Sequence, residues 1–141
     1  MNKFDLHFHS TYSDGKLSVP ELAEVIKREK LQFCSLTDHN TVDGIRELET
    51  SLSGSGIKVI TGVELTAKYG VNETHIVAYD FDIDKAAEIL KERNELVRCQ
   101  KIEEMKKAIY LSRKAGLQIT GGLTPLDTRQ SLRCRKKWSE R

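Results

Sequence analysis

Short apolar runs alternate with amphipathic segments through the first two-thirds of the chain, and nothing else narrows its possible folds as much. Residues 3–8 read as a short buried strand. The stretch "SVPELAEVIKREK" then places Ser18 at an N-cap, Pro20 in the first turn and Glu21 three residues after the cap. Leu22, Val25 and Ile26 give that helix its apolar stripe. "QFCSLT" (32–37) reads as a second strand and "TVDGIRELETSLSGSG" as a second helix ending in Gly and Ser. "IKVITGVELTA" and "THIVAYDF" read as third and fourth strands joined by the polar turn "KYGVNE". From Asp84 to Ala115 a long charged stretch favours helix, with a break expected near Cys99. Strands separated by helices at such intervals argue for βαβ units, an α/β fold and mostly parallel strands.

That reading gives the chemistry a place. In α/β architectures ligands bind at the carboxyl ends of the strands, and all four histidines fall at or just beyond predicted strands. His7 and His9, two residues apart in "FDLHFHSTYSDG", would share one strand face. His39 follows Asp38 in "LTDHN", and His75 opens "THIVAYDF". Asp14 in "SDG" and Glu64 in "GVELTA" add carboxylates. Each signal has a plainer reading: a lone strand histidine is commonly structural, and "TDHN" holds competent helix caps in Asn40 and Thr41. Glu64 is harder to explain away, because an unpaired carboxylate in an apolar run needs a cation or several donors.

Imidazoles and carboxylates together suit Zn²⁺, Mn²⁺ or Fe²⁺. Cys34, Cys99 and Cys134 are odd in number, far apart and form no C-x-x-C pair. They argue against a thiolate zinc knuckle or a disulfide framework and fit a reducing cytosol. Ions held close together activate water and clamp the oxygens of a phosphate ester. No G-x-S-x-G or P-loop offers an alternative nucleophile or phosphate cradle. Asp38 is the candidate catalytic residue outside the ligand set, orienting a ligand or a bound water from behind.

Composition excludes other classes. The net charge of +2 is too small for nucleic-acid binding by bulk electrostatics. No apolar run nears the roughly 18 residues of a membrane span, and no leader-type apolar region follows the first residues. A cytoplasmic protein is expected. The charge is uneven, however. Arg129, Arg133, Arg135, Lys136, Lys137 and Arg141 crowd the last thirteen residues against a single acid, Glu140. Residues 117–141 therefore read as a basic, disordered or unrelated tail.

"DLHFHSTYSDG", "SLTDHNTVDG", "VITGVELTA" and "THIVAYDFD", in this order and spacing, resemble the first motifs of the PHP (polymerase and histidinol phosphatase) family. The resemblance lies nearest its nucleoside 3′,5′-bisphosphate phosphatase and 5′-to-3′ exoribonuclease (RNase AM-like) branch. It implies a distorted (β/α)7 barrel holding up to three Mn²⁺, Fe²⁺ or Zn²⁺ ions, of which residues 1–116 would form the N-terminal half. Under it, His7 and His9 resemble ligands of the first metal, Glu64 the carboxylate bridging to the second, and His75 a ligand of the second. Asp14 and His39 resemble ligands of the third.

The implied activity is hydrolysis, by a metal-bridged hydroxide, of a phosphate monoester on a small nucleotide or at an RNA 5′ end. Histidinol phosphate is the runner-up substrate. The family's later His and Asp-x-His have no counterpart, since no histidine follows His75. The third metal would lose its His and the first its Asp, so fewer ions are expected here. An inactive, truncated remnant is thus an alternative, as is a non-enzymatic module like the PHP domain of replicative polymerases. The open barrel edge would favour self-association.

Overall fold

The computed structural model describes residues 3–70 and 72–116. The expected tail at 117–141 lies outside them. The chain divides into two units, residues 1–90 and 91–141. The first carries the sheets and the candidate site; in the second, residues 91–114 continue the last helix.

The elements run β1 (Phe4–Phe8), α1 (Val19–Arg28), β2 (Phe33–Leu36), α2 (Ile45–Ser51), β3 (Lys58–Val59), β4 (Gly62–Tyr69), β5 (Asn72–Tyr79) and α3 (Ile83–Lys114). Strands β1, β2 and β3 form a parallel sheet in that order, as the alternation of strand and helix predicts. Helix α1 begins where the sequence places it. The Glu21 carboxylate accepts from the Ser18 amide at 2.8 Å and from the Ser18 hydroxyl at 2.6 Å, the returning half of a capping box. Val19, Leu22, Ala23 and Ile26 recur at helical spacing and are buried. They pack with Cys34 and Leu36 of β2 and with Leu48 and Leu52 of the α2 region to form one core. Burying each large aliphatic side chain is worth about 1.5–3 kcal/mol.

The third predicted strand is two strands. β3 pairs with β2 for two residues; the chain then steps at Ile60–Thr61 and re-enters at Gly62 in a second sheet made of β4 and β5. Gly62 passes so close to β2 that a Cβ there would sit 2.1 Å from Ser35 Oγ. Only a residue without a side chain fits that crossing. β4 and β5 run antiparallel, from Gly62↔Tyr79 to Tyr69↔Asn72, which departs from the parallel pattern of β1–β3. The strands continue through the expected polar turn until only residues 70 and 71 separate them. Gly70 has φ of 62°. A connection this short closes a hairpin and cannot form a parallel crossover.

The two sheets are stitched together beside the site. His39 and Glu64 form an isolated parallel bridge. The Asn40 amide donates to the Glu64 carbonyl at 2.8 Å, and the Glu64 amide to the Asp38 carbonyl at 3.2 Å. The Asn40 side chain brackets Thr66, donating to its hydroxyl and accepting from its amide, both at 2.9 Å. Asn40 takes φ of 55°, a left-handed conformation that asparagine tolerates well. A second core gathers Val42, Ile45, Val63 and Leu90.

Three further expectations change. Helix α2 starts at Ile45, four residues after Thr41. β1 is not buried: Phe4 is 66% exposed, because the strand pairs only with β2 among the described residues. Helix α3 runs unbroken past Cys99. It contains no Gly or Pro before Gly116 (φ 70°), whose amide reaches the Arg113 carbonyl at 3.1 Å and ends it.

Candidate metal centre

Parallel strands that end side by side deliver their last residues to one edge. His7 lies on β1, His9 just beyond it, and Asp14 in the following loop; His39 follows β2, while Glu64 and His75 face across the β4–β5 hairpin. Glu64 is the hub and is buried. Its Oε2 lies 2.8 Å from His7 Nε2, 3.1 Å from His9 Nε2 and 4.0 Å from His39 Nε2. Its Oε1 lies 2.8 Å from His75 Nδ1. Asp14 stands at the outer side, 3.4 Å from His9 Nδ1 and 3.6 Å from His39 Nε2. The rings crowd one another too, with His9 and His39 stacked at a centroid distance of 4.7 Å.

All six candidate ligands therefore converge. They form three overlapping triads, His7–His9–Glu64, His9–Asp14–His39 and His39–Glu64–His75, each with its donor atoms within 4.8 Å of one another. Burial works to raise the Glu64 pKa, but hydrogen bonds from His7 and His75 and the nearby charge of His39 and His7 outweigh it. The carboxyl is held below its ordinary range and stays an anion at neutral pH.

The residues present fit a divalent cation. Among the described residues His9 Nδ1 and His39 Nδ1 are buried and make no hydrogen bond, the Asp14 carboxylate 3.4 Å from His9 Nδ1 being an ion-pair neighbour only, an arrangement that costs free energy unless something else engages them. A set of imidazoles and carboxylates with no thiolate matches Zn²⁺, Mn²⁺ or Fe²⁺.

Asp38 stands apart from the triads. It is 1% exposed, and its carboxylate faces the loop after β1, accepting from Ser10 and Ser13. Neither serine of "HSTYSDG" carries a sequence signature of that role, and Ser10 and Ser13 become functional candidates only through these contacts. Glu73 also joins the site, its carboxylate 3.5 Å from His75 Nε2; its place two residues before His75, on the same strand face, was the available signal.

An α/β fold that brings His7, His9 and His39 from the ends of parallel strands to Glu64 and His75 inside an antiparallel hairpin defines a recognisable class. The PHP domain profile matches residues 5–137, and the chain belongs to that family. It is 42% identical over 80 residues to a 5′-3′ exoribonuclease of Haemophilus influenzae, an alignment taking in 57% of this chain and 29% of that protein. It is 34% identical over 82 residues to a 3′,5′-nucleoside bisphosphate phosphatase of Chromobacterium violaceum, again covering 29% of the relative. Among solved structures, an amidohydrolase from Chromobacterium violaceum with bound sulfate and no metal superposes with a TM-score of 0.60 at 24% identity. That superposition covers 98% of this chain and 51% of the other. The chain thus spans less than a third of the length of those two relatives and about half of that solved chain.

Proposed function

We propose that this chain is a metal-dependent phosphoesterase that hydrolyses a phosphate monoester of a small nucleotide of the 3′,5′-bisphosphate type, or acts at an RNA 5′ end. The observation that carries the reading is the convergence of four imidazoles and two carboxylates, drawn from both sheets of a PHP domain, on one site. His7, His9, Asp14, His39, Glu64 and His75 would hold the ions, and Glu64, a member of two triads, would be shared between them. Bound divalent ions supply an activated water near neutral pH and neutralise charge on the phosphate oxygens. The chain's own part is to fix the donors. Glu64 is held in place by the bridge to His39, and His75 is set by the hairpin register that pairs it with Thr66. The named activities of the two relatives support the nucleotide or RNA substrate.

The test is hydrolysis of 3′-phosphoadenosine 5′-phosphate by the full chain with Mn²⁺. Release of phosphate that stops on chelation and in Glu64→Gln supports the reading; no release under Mn²⁺, Fe²⁺ or Zn²⁺ refutes it. One second reading is a chain that binds metal without hydrolysis, because it spans only 29% of the length of the relatives whose activities are named. Retention of metal on elemental analysis without hydrolysis would establish that instead. We further propose a cytoplasmic location; none of the described helices is long and apolar enough to cross a membrane.

A further inference from the structure

Asp38 occupies the position that sequence alone assigns to catalysis, yet its oxygens are already engaged. Oδ1 accepts from the Ser10 amide at 2.7 Å and from the Ser13 hydroxyl at 2.5 Å, while Oδ2 accepts from the Ser10 hydroxyl at 2.6 Å. Three of the roughly four acceptor positions of a carboxylate are used, all by one loop. The loop winds around Ser10, which is fully buried. The Ser10 carbonyl accepts from the Ser13 and Gly15 amides at 3.1 and 2.9 Å, and its hydroxyl accepts from the Tyr12 amide at 3.1 Å. Gly15 closes the winding against His9, where a Cβ would meet the His9 carbonyl oxygen at 2.2 Å.

That loop carries Asp14, whose side chain is 69% exposed and whose nearest neighbours are His9, His39 and Ser13. An exposed carboxylate on a loop has many rotamers and little to select one. Here the backbone on its N-terminal side is pinned by Ser13, and that on its C-terminal side by Gly15. The Ser13 hydroxyl has one proton to donate, and the 2.5 Å contact with Asp38 outcompetes the 3.4 Å contact with Asp14. Ser13 therefore anchors to Asp38 and leaves Asp14 free to face the histidines.

We propose that Asp38 is a positioning residue: through Ser10 and Ser13 it latches the 10–15 loop to β2 and so holds His9 and Asp14 at the distances from His39 that make a metal-binding triad. The inference rests on the reading of these three residues as ligands. It predicts a site-selective defect, because the His39–Glu64–His75 triad is built on β4, β5 and the bridge and does not use the loop.

The experiment titrates the full chain with Mn²⁺ alone by calorimetry, comparing Ser13→Ala, Ser13→Thr and Asp38→Asn with Asp14→Ala and His75→Ala, with the thermal stability of each variant recorded. Ser13→Ala should weaken the same class of ions as Asp14→Ala, by about tenfold or more, and leave the class lost in His75→Ala unchanged. Ser13→Thr, which keeps the hydroxyl, should bind within about twofold of the parent. Uniform weakening of every class in step with lost stability would overturn the proposal. So would an Asp38→Asn variant that binds Mn²⁺ normally and loses only turnover, because Asp38 would then touch the reacting atoms.

Amide exchange on the metal-free chain separates this inference from the reading beneath it. Ser13→Ala should speed exchange at Gly15 about tenfold while Leu36 in β2 stays protected, and unchanged exchange at Gly15 refutes the latch. A parent chain that binds no divalent ion would overturn the metal reading, and with it the purpose assigned to the latch.

Discussion

Glu64 shows how one residue concentrates the properties of a site. It is buried, anionic and within 4.0 Å of all four imidazoles, so removing its charge strips a donor from two triads at once. Glu64→Gln should lower Mn²⁺ affinity by at least the roughly 100-fold seen at the upper end for loss of an outer-sphere partner, and calorimetric titration checks this. Cys34 is its chemical opposite. It is free and fully buried, and burial pushes its thiol up to about 11. Iodoacetamide at pH 8 should leave Cys34 unmodified in the folded chain and modify it once urea is added, as peptide mass mapping will show. The sign of the pH effect follows. The unfolded chain releases this proton near the ordinary thiol value of about 8.5, while the folded chain keeps it to about 11. The contribution to stability is therefore present below pH 8.5 and lost as pH rises through 11.

At this scale the sequence was legible to the extent that chemistry is local. Two histidines in alternation, and a glutamate with no reason to sit among Val63 and Leu65, announced the cluster. The orientation of Asp38 was not legible, because "TDHN" is equally consistent with a carboxylate facing the histidines or facing away. Only the fold of the loop after β1 decides which.

Elements were legible where their ends are marked. Ser18, Pro20 and Glu21 fix the start of α1, and Gly116 its counterpart at the end of α3. The step between β3 and β4 is hidden because "IKVITGVELTA" reads as one continuous strand-favouring run, and such a run cannot reveal a change of sheet. Gly62 was the one mark of it. Gly62→Ala would drive a methyl group into Ser35 Oγ at the β2 crossing and should destabilise the chain by about 1–3 kcal/mol, read as a lower urea midpoint at constant slope. The antiparallel pairing of β4 with β5 was likewise hidden, since it depends on the strands running on through "KY" and "NE" to a two-residue connection.

On the scale of the whole molecule, the described surface leaves apolar side chains uncovered. Phe4 on β1 is 66% exposed and Ile76 on β5 is 52% exposed; among the described residues both strands lie at the edge of their sheets, and apolar side chains on edge strands invite further association. We propose self-association through these side chains. Sedimentation should show mass rising with concentration, and Phe4→Lys with Ile76→Lys should return the chain to monomer. Unchanged association in the double variant would locate the contact elsewhere.

The Tyr79 hydroxyl donates to the Leu6 carbonyl at 2.8 Å, tying residues 73 positions apart. In terms of time rather than geometry, this tie belongs to the end of folding. Contacts between β1, α1 and β2 close short loops, whereas bringing β5 to β1 carries a larger loop-closure cost and is repaid only once the intervening chain is in place. The ligand set spans nearly the same interval, from His7 to His75, so the pocket is complete only once that closure is made. Until β5 is brought to β1, His75 stands apart from the other donors and the set with which to sequester a metal is incomplete.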